Sequence, residues 1–115
     1  MSFIQTATFT AALVLTSALS AGAASFDCDR PDLAPDEQVI CDTRALNDAD
    51  VRMVTTFDML KGLLAMGGRD AMRDEQSAWL AQRTACKADA DCIRDAYDRR
   101  MQQLDKTYQS LNRPL

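Results

Sequence analysis

The sequence predicts an all-α fold, a small antiparallel three-helix bundle stapled by two disulfides. Three observations predict it. Apolar residues recur at three- and four-residue steps through most of the chain after position 35, the spacing of one helix face. No segment of that part reads as a strand, with apolar and polar residues alternating. Four cysteines, Cys28, Cys41, Cys86 and Cys92, all follow an apolar leader, and an even count in a small exported chain reads as two bridges.

The leader is "MSFIQTATFTAALVLTSALSAGAA". Its apolar stretch, Ala11–Leu19, runs into small residues, and "AGA" and "GAA" both satisfy the small-x-small rule for cleavage. Residues 1–24 therefore read as a secretory signal peptide cut after Ala23 or Ala24, although its first residues carry no lysine or arginine. An uncleaved anchor is the rival, but the apolar core is short beside the ~20 residues of a membrane span. Acylation at Cys28 is a second rival, opposed by the bulky Phe26 and the charged Asp27 just before it. Removing 24 of the 115 residues leaves 91, and residues 25–115 read as one helical domain. No stable membrane insertion is expected after cleavage, and the location expected is periplasmic or secreted. A domain this small buries a limited core and benefits from covalent staples.

The first helix is expected to open near Pro35, with Asp36 and Glu37 facing its positive dipole end. Leu46, Met53 and Leu60 recur every seven residues, with Ala49, Thr56 and Leu63 three further on. Phe57 and Leu64 widen the stripe, and Gly67–Gly68 is expected to end it. The second helix should start around Arg69–Asp70, carry Met72, Gln76, Trp79, Leu80 and Arg83 on one face, and stop near Cys86. The third carries Ile93, Tyr97, Met101, Leu104, Tyr108 and Leu111, with Asp89 or Asp91 capping its start.

Four cysteines allow three pairings, of which the local one, Cys28–Cys41 with Cys86–Cys92, is expected. In an unbroken helix Cys86 and Cys92 would be separated by a rise of about 9 Å and a turn of about 240°. A disulfide needs Cα atoms within roughly 7 Å. A bridge there thus requires a break in "KADAD", which the aspartates favour by offering capping oxygens. On the chain-entropy model the Cys86–Cys92 closure contributes roughly 2 kcal/mol and the longer Cys28–Cys41 closure about 3 kcal/mol. Zinc is disfavoured, because the spacings are not those of a C-x-x-C knuckle and histidine is absent. A redox-catalytic pair would want C-x-x-C at a helix start, so that spacing argues against it too.

The composition, 47% hydrophobic and 26% charged, is too apolar for disorder. The absence of histidine removes the commonest general base and metal ligand, which narrows any enzymatic repertoire. No cofactor is implied. From Asp27 to Asp50 eight acids face two bases, whereas the remainder is mildly basic, within a net charge of −4. There is no basic stripe for nucleic acid. A cationic partner suits the acidic segment, and solubility alone is the plainer explanation of the same charges.

The motifs "SFDC", "PDEQVIC", "LNDAD", "QSAWLAQRTAC" and "CIRDAYDRRMQQL" occur in this order. Together they resemble the LprI-type lysozyme-inhibitor N-terminal family of exported bacterial proteins, from Ser25 to about Leu104. The sequence departs from the family at Ala49, where a leucine is expected, and at Phe57, where tyrosine is common. The resemblance implies an all-helical, disulfide-bonded exported protein that binds and inhibits c-type lysozyme. It marks Asp50, Trp79, Arg83, Tyr97 and Arg100 as motif residues.

Three functional readings follow. In the first, the protein blocks a basic lysozyme by contact through Asp27, Asp29, Asp32, Asp36 and Glu37. In the second, it is a periplasmic interaction or scaffold module with another protein partner. The third, an enzyme using carboxyls such as Glu37, Asp50 and Glu75, is not expected: about ninety residues leave little room for a substrate cleft. Trp79 and Arg83, one helical turn apart, are expected to be structural, with Arg83 pairing an acid such as Asp50 or Glu37. An exposed aromatic-arginine interface is the alternative.

Overall fold

The structure is a computed structural model and describes residues 24–111. Most of the leader lies outside these residues. Among the described residues the chain is all-helical, without strands, and holds both local disulfides. It has four helices rather than three: α1 (Pro35–Asp42), α2 (Arg44–Leu63), α3 (Met66–Ala85) and α4 (Ala90–Leu111). The extra helix comes from a break at Thr43, whose backbone is extended (φ −115°, ψ 106°). Its carbonyl accepts the amides of Leu46 and Asn47, which starts α2 afresh.

The reason for the break lies in the interior. Asp36 of α1 and Asp50 of α2 both pair with Arg83, at 2.8 and 3.7 Å. On one continuous helix these carboxylates would be about 21 Å apart along the axis. A single guanidinium can reach both only if α1 folds back, and Cys28–Cys41 ties the preceding loop to α1 in that position, with Cα atoms 5.8 Å apart.

The other boundary that differs is at the glycines. Helix α2 stops at Leu64, which is extended, and α3 begins at Met66, so Gly67 and Gly68 lie in the first turn of α3. Gly68 serves close approach: a Cβ there would lie 3.3 Å from the Leu64 side chain. The Nε of Arg69 donates to the Leu64 carbonyl at 2.8 Å and closes the end of α2.

Helices α2, α3 and α4 form the up-down-up bundle. Asp50 meets Tyr97, while Leu60 and Leu63 line a groove with Leu104 and Tyr108, so α2 and α4 run in the same direction. Gln76 meets Arg100 while Arg83 meets Tyr97, so α3 runs against them. Helix α4 touches all three others and buries Ile93, Ala96, Tyr97, Arg100 and Leu104. Ile40, Leu46, Met53, Phe57, Leu60, Met72 and Trp79 complete the core. Several stripe residues are not in it: Leu63, Leu80, Tyr108 and Leu111 are exposed. Leu80 lies one residue past Trp79 and so is turned by about 100° out of the core. Tyr108 borders a groove between α2 and α4 with Leu63 and Leu104.

The corner between α3 and α4 is clamped by Cys86–Cys92, with Cα atoms 5.6 Å apart. Asp89 caps α4, its Oδ1 accepting the amides of Asp91 and Cys92, both at 3.1 Å. Asp91 pairs instead with Arg94. Lys87 takes the left-handed conformation (φ 53°) that ends α3, a position glycine usually fills.

Candidate functional site: a buried polar node beneath an acidic edge

The five acids of the proposed partner surface have different fates. Asp36 is fully buried, so it leaves that surface altogether. Its Oδ2 accepts the Arg83 Nε at 2.8 Å, a charge-assisted bond away from water. The sequence signal for this lies in helical phase: Asp36 stands one turn before Ile40, which is also fully buried. Glu37 is half-buried and occupied. It accepts the Ala34 amide at 3.0 Å, the glutamate half of a capping box, and the Arg30 guanidinium at 2.8 Å.

The remaining three are exposed: Asp29 and Asp32 lie in the loop that Cys28–Cys41 closes, and Asp27 immediately precedes it. Asp27 Oδ1 accepts the Asp29 amide, a short turn that fixes their relative positions. Asp32 shares Arg30 with Glu37, at 3.4 Å. With Asp36 and Asp50 removed to the interior, six acids and two bases remain outside between Asp27 and Asp50, a balance of −4 in place of −6.

Beneath this edge lies the polar node. Asp50 is fully buried and its Oδ1 accepts the Tyr97 hydroxyl at 2.7 Å. The Arg83 Nη1 donates to the same hydroxyl at 3.2 Å. Burial first, and then the Asp50 carboxylate, holds the Tyr97 phenol protonated well above its usual range, so it remains a donor to Asp50. Burial opposes the Arg83 charge, but Tyr97 and Asp36 outweigh it and raise its pKa. The rings of Phe26 and Trp79 lie 5.6 and 5.7 Å from the guanidinium carbon. Arg83 thus pairs with Asp36 and Asp50, not with Glu37.

Trp79 is 3% exposed, donates its indole N–H to the Ala96 carbonyl at 2.7 Å and meets Tyr97 edge-on at 5.1 Å. This places it in the core. Arg100 is also fully buried: its Nε donates to Gln76 Oε1 at 2.8 Å and its Nη1 to Gln103, and Glu75 lies 3.6 Å away. Burial lowers the Arg100 pKa, and Glu75 partly offsets this. The three carboxyls considered for chemistry are therefore engaged separately, Glu37 by Arg30, Asp50 by Tyr97 and Arg83, and Glu75 beside Arg100. Sequence reasoning missed Asp36 as an interior residue, Gln76 as the partner of Arg100, and the segment before Cys28. That segment supplies Phe26 and the Ser25 amide, which donates to Asp50 Oδ2 at 2.6 Å.

Comparison with known proteins finds similarity to a mycobacterial lipoprotein. The chain is 34% identical over 83 residues to lipoprotein LprI of Mycobacterium bovis and of Mycobacterium tuberculosis. This chain resembles part of LprI. The match takes in 70% of this chain and 40% of LprI, so the chain spans less than half the length of those relatives. No family model matches, and no solved structure matches. The LprI proteins are named as lipoproteins. In this chain Cys28 is bonded to Cys41.

Proposed function

We propose that this is an exported, non-enzymatic binding protein that blocks a c-type lysozyme by protein–protein contact. The observation that carries the reading is the similarity to LprI over 83 residues. Two further features support it. The disulfides suit an oxidising compartment outside the cytosol, periplasmic or secreted. The exposed acids Asp27, Asp29 and Asp32 form an edge at and just before a covalently closed loop, of the right sign to steer a basic partner. No helix among the described residues is long and apolar enough to cross a membrane.

The test is clearance of a cell-wall suspension by lysozyme. The oxidised protein is expected to slow clearance at low salt, and added salt to weaken the effect. Replacing Asp27, Asp29 and Asp32 together by asparagine is expected to weaken inhibition by roughly three- to tenfold, mainly through the association rate. Unimpeded clearance at micromolar excess and low salt would refute the reading.

A second reading, an envelope interaction module with a different protein partner, is favoured by the opposite end of the bundle. There Met59, Leu63, Met66, Tyr108 and Leu111 are exposed. Part of this patch borders a groove of about 300 Å³ floored by Leu60, Met101 and Leu104. Size-exclusion chromatography and pull-down from a periplasmic extract separate it from the first.

A further inference from the structure

The node is one positive charge short. Two fully buried carboxylates, Asp36 of α1 and Asp50 of α2, share the single guanidinium of Arg83 from α3. From α4 the node receives only the neutral Tyr97 hydroxyl. No other lysine or arginine among the described residues pairs with either acid. Uncompensated charge away from water is costly, so buried carboxylates are normally matched. The remaining donor to Asp50 is a backbone nitrogen, that of Ser25, at 2.6 Å from Oδ2. Phe26 fixes this segment by lying over Arg83.

Ser25 follows "GAA", one of the two small-x-small sites. We propose that cleavage between Ala24 and Ser25 makes the Ser25 nitrogen an α-ammonium that is the missing cation of the node. Water is the co-reactant and a peptidase specific for small residues the catalyst. The hydroxide part of water adds to the Ala24 carbonyl and the peptide C–N bond breaks. The Ser25 nitrogen takes water's remaining proton and, through solvent, the proton that the new Ala24 carboxyl sheds, so the products are an Ala24 carboxylate and a Ser25 α-ammonium. An amide with one N–H and no charge becomes a group with three donors and a unit charge, beside Asp50. The node then balances, two carboxylates against two cations. The geometry distinguishes between the two cleavage sites. A cut after Ala23 leaves the Ser25 nitrogen an uncharged amide and puts the new charge one residue away. The inference does not depend on what the protein binds.

The experiment starts from the full chain exported by a bacterial host. Intact mass of the purified oxidised product is expected to correspond to a first residue of Ser25. The α-amine is then treated with an amine-acylating reagent at neutral pH, and labelling is located by peptide mass. Each unit by which pairing raises the amine pKa leaves about tenfold less reactive free amine. Labelling of the folded protein is therefore expected to be at least about tenfold slower than after reduction and denaturation. Asp50→Asn is expected to restore fast labelling. If that variant does not fold, the folded-against-denatured ratio of the natural protein decides alone. A product beginning at another residue, or an α-amine labelled equally fast in both states, would overturn the proposal.

Discussion

Arg83→Ala is expected to lower the stability of the oxidised protein by about 3–5 kcal/mol, measured by urea unfolding. The size follows from what remains rather than from what is removed. Asp36 and Asp50 are both fully buried, and α1 and α2 cannot carry them to water without separating from the bundle. The substitution also leaves a gap under Phe26 and beside Trp79. Arg83→Lys is expected to recover little, because a point charge cannot replace a fork that reaches Asp36 through Nε and Asp50 and Tyr97 through Nη1. Asp36→Asn combined with Arg83→Met should cost less than Arg83→Ala alone, since the unpaired charges are then fewer. A loss below about 1 kcal/mol for Arg83→Ala would place the node among ion pairs of no structural weight.

Trp79→Ala is expected to cost about 3–5 kcal/mol, by the same measurement. The indole is the largest apolar body in the core, packs on Tyr97 and bonds the Ala96 carbonyl. Its removal opens a cavity between α3 and α4 that the disulfide at their corner prevents from closing by helix movement. Trp79→Phe keeps most of the volume, loses the hydrogen bond, and is expected to cost about 1–2 kcal/mol. Partner binding, compared at a temperature where both proteins are folded, is expected to be unchanged. Binding lost with the melting temperature intact would make Trp79 an interface residue instead.

The helical periods and the cysteine spacing made much of this fold readable. Three of its four helices follow the 3.6-residue stripe, and the six-residue step from Cys86 to Cys92 demanded the corner that Asp89 caps. The break at Thr43 was not readable. Nothing local forbids a helix through Cys41–Arg44, and the reason for stopping is a contact with Arg83, far along the chain. For the same reason Asp36 read as a first-turn acid facing solvent: a carboxylate in the first turn of a helix is favourable wherever it points, and only the tertiary partner decides. Gly67–Gly68 read as a stop, although glycine also fits the tight approach of Leu64. The acidic edge was legible as charge. Which acids remain outside depended on counting the cations inside.

The break at Thr43 also decides how the molecule opens. An isolated helix of eight residues does not persist in water. Helix α1 is held by Cys41 and by Asp36, so its order is lent by the disulfide and by the node. Both disulfides and the node lie toward the end where α3 meets α4. The other end, around Leu64–Arg69, has two glycines, mostly exposed side chains and no covalent tie. Amide hydrogen exchange should therefore report two populations: slow amides around Trp79–Arg83 and Ile93–Arg100, released only by global unfolding, and fast ones at the α2–α3 turn, released by fraying. Reduction would add α1 to the fast class, and the acidic edge, seated on the loop before it, would lose its fixed shape while the three long helices remained.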